Sequence, residues 1–243
     1  NPEERVTEAL IKYNATLRGS ANGWKAYLYP NGGGGYSFFL KFMDKNRVSM
    51  LADLDYDPAE TSMESSYRLK GNQVPSLLFD TYNYMHILAD PNPNTFGGTA
   101  GWGLFSDFEF DFVRESGDTL FMKGKMLESN LILIKATKTE EDSYQAQGLL
   151  NSLSSGIDYI DQNLYLYVNL GDATKIQTSF DYFNKVVSLT WEEEGVVTTV
   201  STPFVFTLTG LELKEPLAYK GKFVTKFTWD VAKQQYVANT AAE

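Results

Sequence analysis

A chain of 243 residues has room for one large β domain or two smaller ones. Thirty-one acidic residues against 21 basic ones give a formal net charge of −10, and no Lys/Arg cluster is present, which argues against a nucleic-acid partner needing a cationic surface. The absence of cysteine removes disulfides, thiolate catalysis and Cys-ligated metals, and no apolar run approaches the ~20 residues of a membrane-spanning helix.

The opening segment, residues 1–20, reads as a helix packed on a β core. Val6, Leu10, Tyr13 and Leu17 recur at helical spacing, Glu3 and Glu4 favour the positive end of its dipole, and Gly19 follows its last turn. The chain starts on Asn1-Pro2-Glu3-Glu4 with neither an initiator Met nor the charged and apolar regions of a signal peptide, the pattern expected of a form whose export signal has been removed.

From Trp24 the hydrophobic period changes to two. In the first β block, residues 21–139, the alternation predicts strands at 24–29, 36–43, 47–53, 65–70, 76–80, 107–114, 119–125 and 130–135. Gly32–Gly35 fits a hairpin turn between two of them. Residues 140–162 interrupt the pattern with Leu149, Leu150, Leu153, Ile157 and Ile160 on one helical face, a connector helix weakened by Gly148 and Gly156. A second β block, 163–243, resumes with strands at 164–170, 175–182, 185–192, 196–201, 204–209, 217–220, 223–230 and 235–238. The two blocks share short similar stretches at offsets that fit no single register, and one continuous domain is as compatible with the pattern as two. The fold class is mainly β: antiparallel barrel-like or sandwich sheets with an N-terminal helix and a middle connector helix.

Several stretches carry chemistry-bearing residues. Asp107-Phe108-Glu109-Phe110-Asp111-Phe112 sets carboxylates on one strand face and phenylalanines on the other. The carboxylate face is either a solvated outer surface or part of a polar-ligand site; neighbours on it lie roughly 6–7 Å apart, too far to hold one ion without loop ligands. Asp53-Leu54-Asp55-Tyr56-Asp57-Pro58 has calcium-loop oxygens at positions one, three and five, but Pro58 stands where the turn glycine belongs, so no metal is expected. His86 is the only histidine, which removes zinc sites built on two or three of them, and no Gly-x-Ser-x-Gly elbow presents a serine to it.

The long segment 89–106, rich in Pro, Asn and Gly, carries Phe96 and Trp102 and has the length of a binding loop. It leads into a strand rather than a helix, so its glycines are not a phosphate cradle. Candidate ligand-binding residues are therefore Trp102, Phe96, Tyr84, His86, Asp107 and Glu109, with no cofactor and no catalytic set. A carboxylate-dependent hydrolase using Asp107 with Glu109, or Asp80 with Asp107, is the alternative, and a structural subunit docking on a transporter is a third reading.

A run from Pro75-Ser-Leu-Leu-Phe-Asp-Thr-Tyr-Asn-Tyr-Met-His86 through Asp90-Pro91, Gly97–Gly103 and Asp107–Asp111, preceded by Gly23-Trp24 and the Gly32–Gly35 hairpin before an aromatic strand, resembles a Bacteroidetes lipoprotein family, domain of unknown function 4302. The resemblance covers nearly the whole chain. It implies an extracytoplasmic, outer-membrane lipoprotein on the periplasmic or cell-surface face, anchored through a lipidated Cys upstream of Asn1. It also implies genes beside nutrient-import systems, with a glycan or peptide as ligand and an outer-membrane transporter or companion lipoprotein as partner. It supplies no family activity.

Overall fold

The computed structural model describes residues 2–71 and 74–242 of the chain. Helix α1 (Pro2–Gly19) leads into strands β1 (Trp24–Tyr29), β2 (Tyr36–Met43), β3 (Arg47–Ala52), β4 (Met63–Gly71), β5 (Pro75–Phe79), β6 (Glu109–Ser116), β7 (Thr119–Gly124) and β8 (Asn130–Lys135). Each pairs antiparallel with the one before it, and β8 pairs back with β1 from Trp24 opposite Lys135 to Tyr29 opposite Asn130, so the eight close into an up-and-down barrel without a free edge.

Alternation decides what fills it. Trp24, Ala26 and Leu28, then Phe38, Leu40 and Phe42, point inward and are buried. An eight-stranded barrel has an interior about as wide as its side chains, and buried aromatic and aliphatic residues occupy it here, so the barrel is a packed core rather than a ligand lumen. One end is closed by α1, whose Leu17 is buried, whose Leu17 carbonyl accepts the Trp24 indole N–H at 2.9 Å, and whose Tyr13 stacks on Phe112 with ring centroids 3.8 Å apart. The opposite end is closed by the β5–β6 connection. There α3 (Tyr84–Leu88) buries Tyr84, Met85 and Leu88, and the short helix α4 (Pro93–Phe96) interrupts the segment expected to lack regular structure.

The expected connector helix is two helices, α5 (Lys138–Gln145) and α6 (Gly148–Gln162), because Gln147 takes a left-handed conformation (φ 61°) between them. Thr137 and Glu140 form a capping box that starts α5. The remaining strands, β9 (Leu166–Val168), β10 (Ile176–Asp181), β11 (Val186–Glu193), β12 (Val196–Thr207), β13 (Gly210–Tyr219), β14 (Lys222–Asp230) and β15 (Gln235–Ala242), form an open antiparallel meander in sequence order. The strands expected at 196–201 and 204–209 are one strand: Pro203 keeps register opposite Val186, and the following amide, Phe204 N, donates to the Lys185 carbonyl at 3.0 Å.

Val187, Leu189, Phe204 and Phe206 of this sheet form a second core together with Leu149 and Leu153 of α6 and the outward-facing barrel residues Phe39 and Leu51. Phe39 stacks on Tyr144 of α5 at 4.4 Å. Gly156 of α6, a poor helix former by propensity, faces Phe206 and the Tyr236 phenol, where a Cβ would collide with both. The two β blocks are thus joined through shared apolar packing. Among the described residues no helix is long and apolar enough to cross a membrane.

Charges fasten α5 to the barrel. Glu141 is buried and pairs with Lys41 of β2 and, at 3.4 Å, with Lys138. The Lys41 hydrogen bond, working against burial, holds the Glu141 carboxyl below its ordinary 4.5. A carboxylate depressed in the folded state contributes stability that is present above the unfolded value near 4.5 and is lost as pH falls through the lower folded value. Denaturant midpoints measured between pH 6 and pH 3 should therefore fall on acidification, and less steeply in Lys41→Met; equal slopes in parent and variant would remove this account.

Candidate functional site

A cleft of about 750 Å3 opens at the barrel end opposite α1, between the barrel rim, α6 and the β10–β11 turn. Its floor is an ion pair between Asp53, at the end of β3, and Lys185, in the turn. Their side chains are 0% and 4% exposed, with Lys185 Nζ 2.9 Å from Asp53 Oδ2. Asp53 also accepts the amide N–H groups of Ser37 and Phe206, each at 2.8 Å, while Lys185 donates again to the Asp53 carbonyl at 2.8 Å. One carboxylate therefore links β2, β12 and the β10–β11 turn. The Lys185 ammonium lies 4.8 Å from the Phe206 ring centre and 5.4 Å from that of Tyr36. Burial pushes its pKa down, and Asp53 pulls it back up.

The walls are built from loops. On the barrel side, Asp55 caps the short helix α2 (Tyr56–Glu60) by accepting the Tyr56 N–H at 2.7 Å, which leaves the Tyr56 ring exposed at the cleft. Gly34 (φ 76°) brings the β1–β2 turn so close to the facing turn that a Cβ there would stand 3.0 Å from the Asn184 carbonyl. Phe96, from α4, meets Tyr36 edge-on at 5.9 Å. On the other side, Asp181 accepts the N–H groups of Phe183 and Asn184 at 3.1 and 2.9 Å, forming a tight turn that projects Tyr182 and Phe183. Those two rings lie 4.4 Å apart, and the Tyr182 hydroxyl reaches Asp161 of α6 at 3.5 Å. Burial, followed by nearby carboxylates that include Asp161, raises the pKa values of Tyr56 and Tyr182, so both phenols stay protonated donors at neutral pH.

Of the six candidate ligand-binding residues named from the sequence, Phe96 lines this cleft, as do Asp53, Asp55 and Tyr56 of the run read as calcium-loop-like. Trp102 lies on the same loop, 54% exposed and stacked on Phe105 at 5.8 Å, but outside the cleft lining. Tyr84 is buried in the barrel cap, where its hydroxyl donates to the Thr61 carbonyl at 2.7 Å. His86 caps α3: its Nδ1 accepts the Asn83 N–H at 3.2 Å, and its ring stacks between Tyr82 at 5.5 Å and Phe108 at 4.5 Å. Burial lowers its pKa, which keeps the imidazole neutral at pH 7.

Asp107 is buried and accepts the N–H groups of Met126 and Leu127 at 2.9 Å and of Ser129 at 3.0 Å, organising the β7–β8 turn. Glu109 faces outward from the barrel between Lys70 at 3.0 Å and Lys125 at 3.2 Å, with Ser76 donating at 3.0 Å. Burial acts against it, but these partners hold its pKa below the usual value. Asp80 pairs with Arg68. None of these three carboxylates lines the cleft.

The sequence reading missed Lys185, Tyr56, Asp161, Tyr182 and Phe183. One signal was available: Tyr182-Phe183 occupies a short hairpin turn, where polar residues and glycine are the rule. Asp53 and Lys185 lie 132 residues apart and leave no local pattern.

Fold and cleft together define a filled-barrel β protein with a ligand-sized opening between the barrel and a companion sheet. The chain belongs to the family of the domain of unknown function DUF4302, whose sequence profile matches residues 1–231. A search of curated proteins finds no match.

Proposed function

We propose that the protein is an extracytoplasmic binding lipoprotein of the outer membrane, of Bacteroidetes type, that captures a glycan or peptide in this cleft and hands it to a companion nutrient importer. The cleft carries the proposal. Its volume, about 750 Å3, lies within the roughly 300–1,000 Å3 usual for small-ligand sites, and its lip presents Phe183 at 78% exposure. An aromatic ring left in water on a rigid turn beside a concavity is an unsatisfied apolar surface of the kind that ligands cover. The carboxylates from which a hydrolase would be assembled are instead held by lysines, an arginine or turn amides, which weighs toward binding over catalysis.

A thermal-shift screen of the protein against glycans and peptides tests this. A cleft ligand at about 100 times its Kd should stabilise the fold by about 2.7 kcal/mol, a rise of several degrees. Phe183→Ala should cut the rise by about half or more while Trp102→Ala retains it. A ligand that shifts the parent and Phe183→Ala equally would place binding elsewhere.

A further inference from the structure

We infer that the cleft is a site for a neutral pyranose glycan. This rests on the binding-protein reading above and narrows it to one ligand class. Charge decides the first step. Among the described residues lining the cleft, Lys185 is the one cation, and it is buried and fully engaged by Asp53. Asp55 and Asp161 remain, both exposed, so an incoming anion meets carboxylates and no available positive partner.

Geometry decides the second. Extended peptides are most readily held by adding a strand to a free sheet edge. The barrel is closed, and the free edges of the second sheet are β9 and β15, neither of which lines the cleft. The wall facing the barrel is a turn whose Phe183 and Asn184 amides are already taken by Asp181.

What the cleft does offer fits a sugar. Phe183 and the adjacent Tyr182 give a ring surface for the C–H face of a pyranose. Asp161, which the Tyr182 hydroxyl reaches at 3.5 Å, and the exposed Tyr56 supply acceptors and donors for ring hydroxyls. Gly33 and Gly97 also line the cleft, with nothing within 4 Å of the place a Cβ would take, so the cleft stays open there. The binding groups come from α6, α2 and the β10–β11 turn, all joined to the packed cores.

Isothermal titration of the full chain tests this with maltohexaose, cellohexaose, mannohexaose and xylohexaose as neutral probes, tetragalacturonate as the acidic probe and a mixture of tryptic peptides as the third. Binding of at least one neutral hexaose is expected, weakened at least tenfold in both Phe183→Ala and Asp161→Ala, and changed less than about twofold between 0.05 and 0.5 M salt because no ion pair forms. Phe183 is exposed, so circular dichroism and the melting temperature of its alanine variant should match the parent. Tetragalacturonate binding more tightly than every neutral probe overturns the inference. Peptide binding that Phe183→Ala abolishes also overturns it while leaving the binding-protein reading standing. Silence from all three probe classes at millimolar concentration overturns both.

Discussion

Asp53→Ala should be among the most damaging single substitutions in the chain, costing about 3–5 kcal/mol and lowering the melting temperature by on the order of 10 °C. The truncation strands three donors at once. The Lys185 ammonium loses the Asp53 carboxylate, and the Ser37 and Phe206 amides, each now 2.8 Å from an oxygen of that buried carboxylate, lose their acceptors. Lys185→Ala should cost less, because the carboxylate it leaves behind keeps both amides. Removing both side chains should recover part of the loss from Asp53→Ala by eliminating the bare charge, and no more than part, since the two amides stay unpaired.

The pH dependence has a definite sign. Burial already places the Lys185 pKa below its ordinary 10.5, opposed by two raising effects that both come from Asp53. Without Asp53 the folded-state value drops further, the unfolded chain binds more protons between that value and 10.5, and stability rises with pH across the window. Guanidinium unfolding at pH 7 and pH 9.5 should therefore show Asp53→Ala closing some of its gap to the parent at the higher pH. A loss under 1 kcal/mol at pH 7, or a gap that does not change with pH, would mean that the pair does not hold the blocks together.

How much was legible beforehand depended on how local each feature is. The strands expected at 24–29, 36–43 and 130–135 are present with those bounds, because each is a short run rich in aromatic, Leu or Ile residues with an inward-facing set at period two. Residues 210–216 escaped notice: Glu212, Lys214 and Glu215 interrupt the apolar alternation, and β13 shifts register between Glu212 and Leu217. In the Asp107–Phe112 run, Phe110 and Phe112 are core as the alternation requires, whereas Phe108 precedes the strand and stacks on His86 instead. The cleft was nearly invisible for a different reason. Its lining comes from six separate stretches, brought together by a barrel closure and a sheet docking that no periodicity encodes, and only Phe96 of the candidate ligand-binding residues lies on it. Carboxylates look alike in a sequence; what separates Asp107 from Asp161 is that three backbone amides donate to the first and a tyrosine hydroxyl to the second.

That separation is itself measurable. Asp107→Ala should lose about 3–5 kcal/mol, because three amides of the β7–β8 turn, at 2.9, 2.9 and 3.0 Å from its carboxylate, become unpaired together at a position that is 5% exposed. Asp161→Ala, on an exposed helix face, should change stability by less than about 0.5 kcal/mol. Gly124 supplies an internal control: its Cα faces the Asp107 carboxyl so closely that an added Cβ would overlap it. Gly124→Ala should accordingly be strongly destabilising in the parent and milder in the Asp107→Ala background, where the closer carboxyl contacts are gone and only the Cβ at 2.8 Å remains, a coupling that a double-mutant cycle reads directly from four denaturation curves. Additive losses would show that the turn rearranges around Asp107 rather than being built on it, and the same carboxylate would then be free for the ligand role its sequence context suggested.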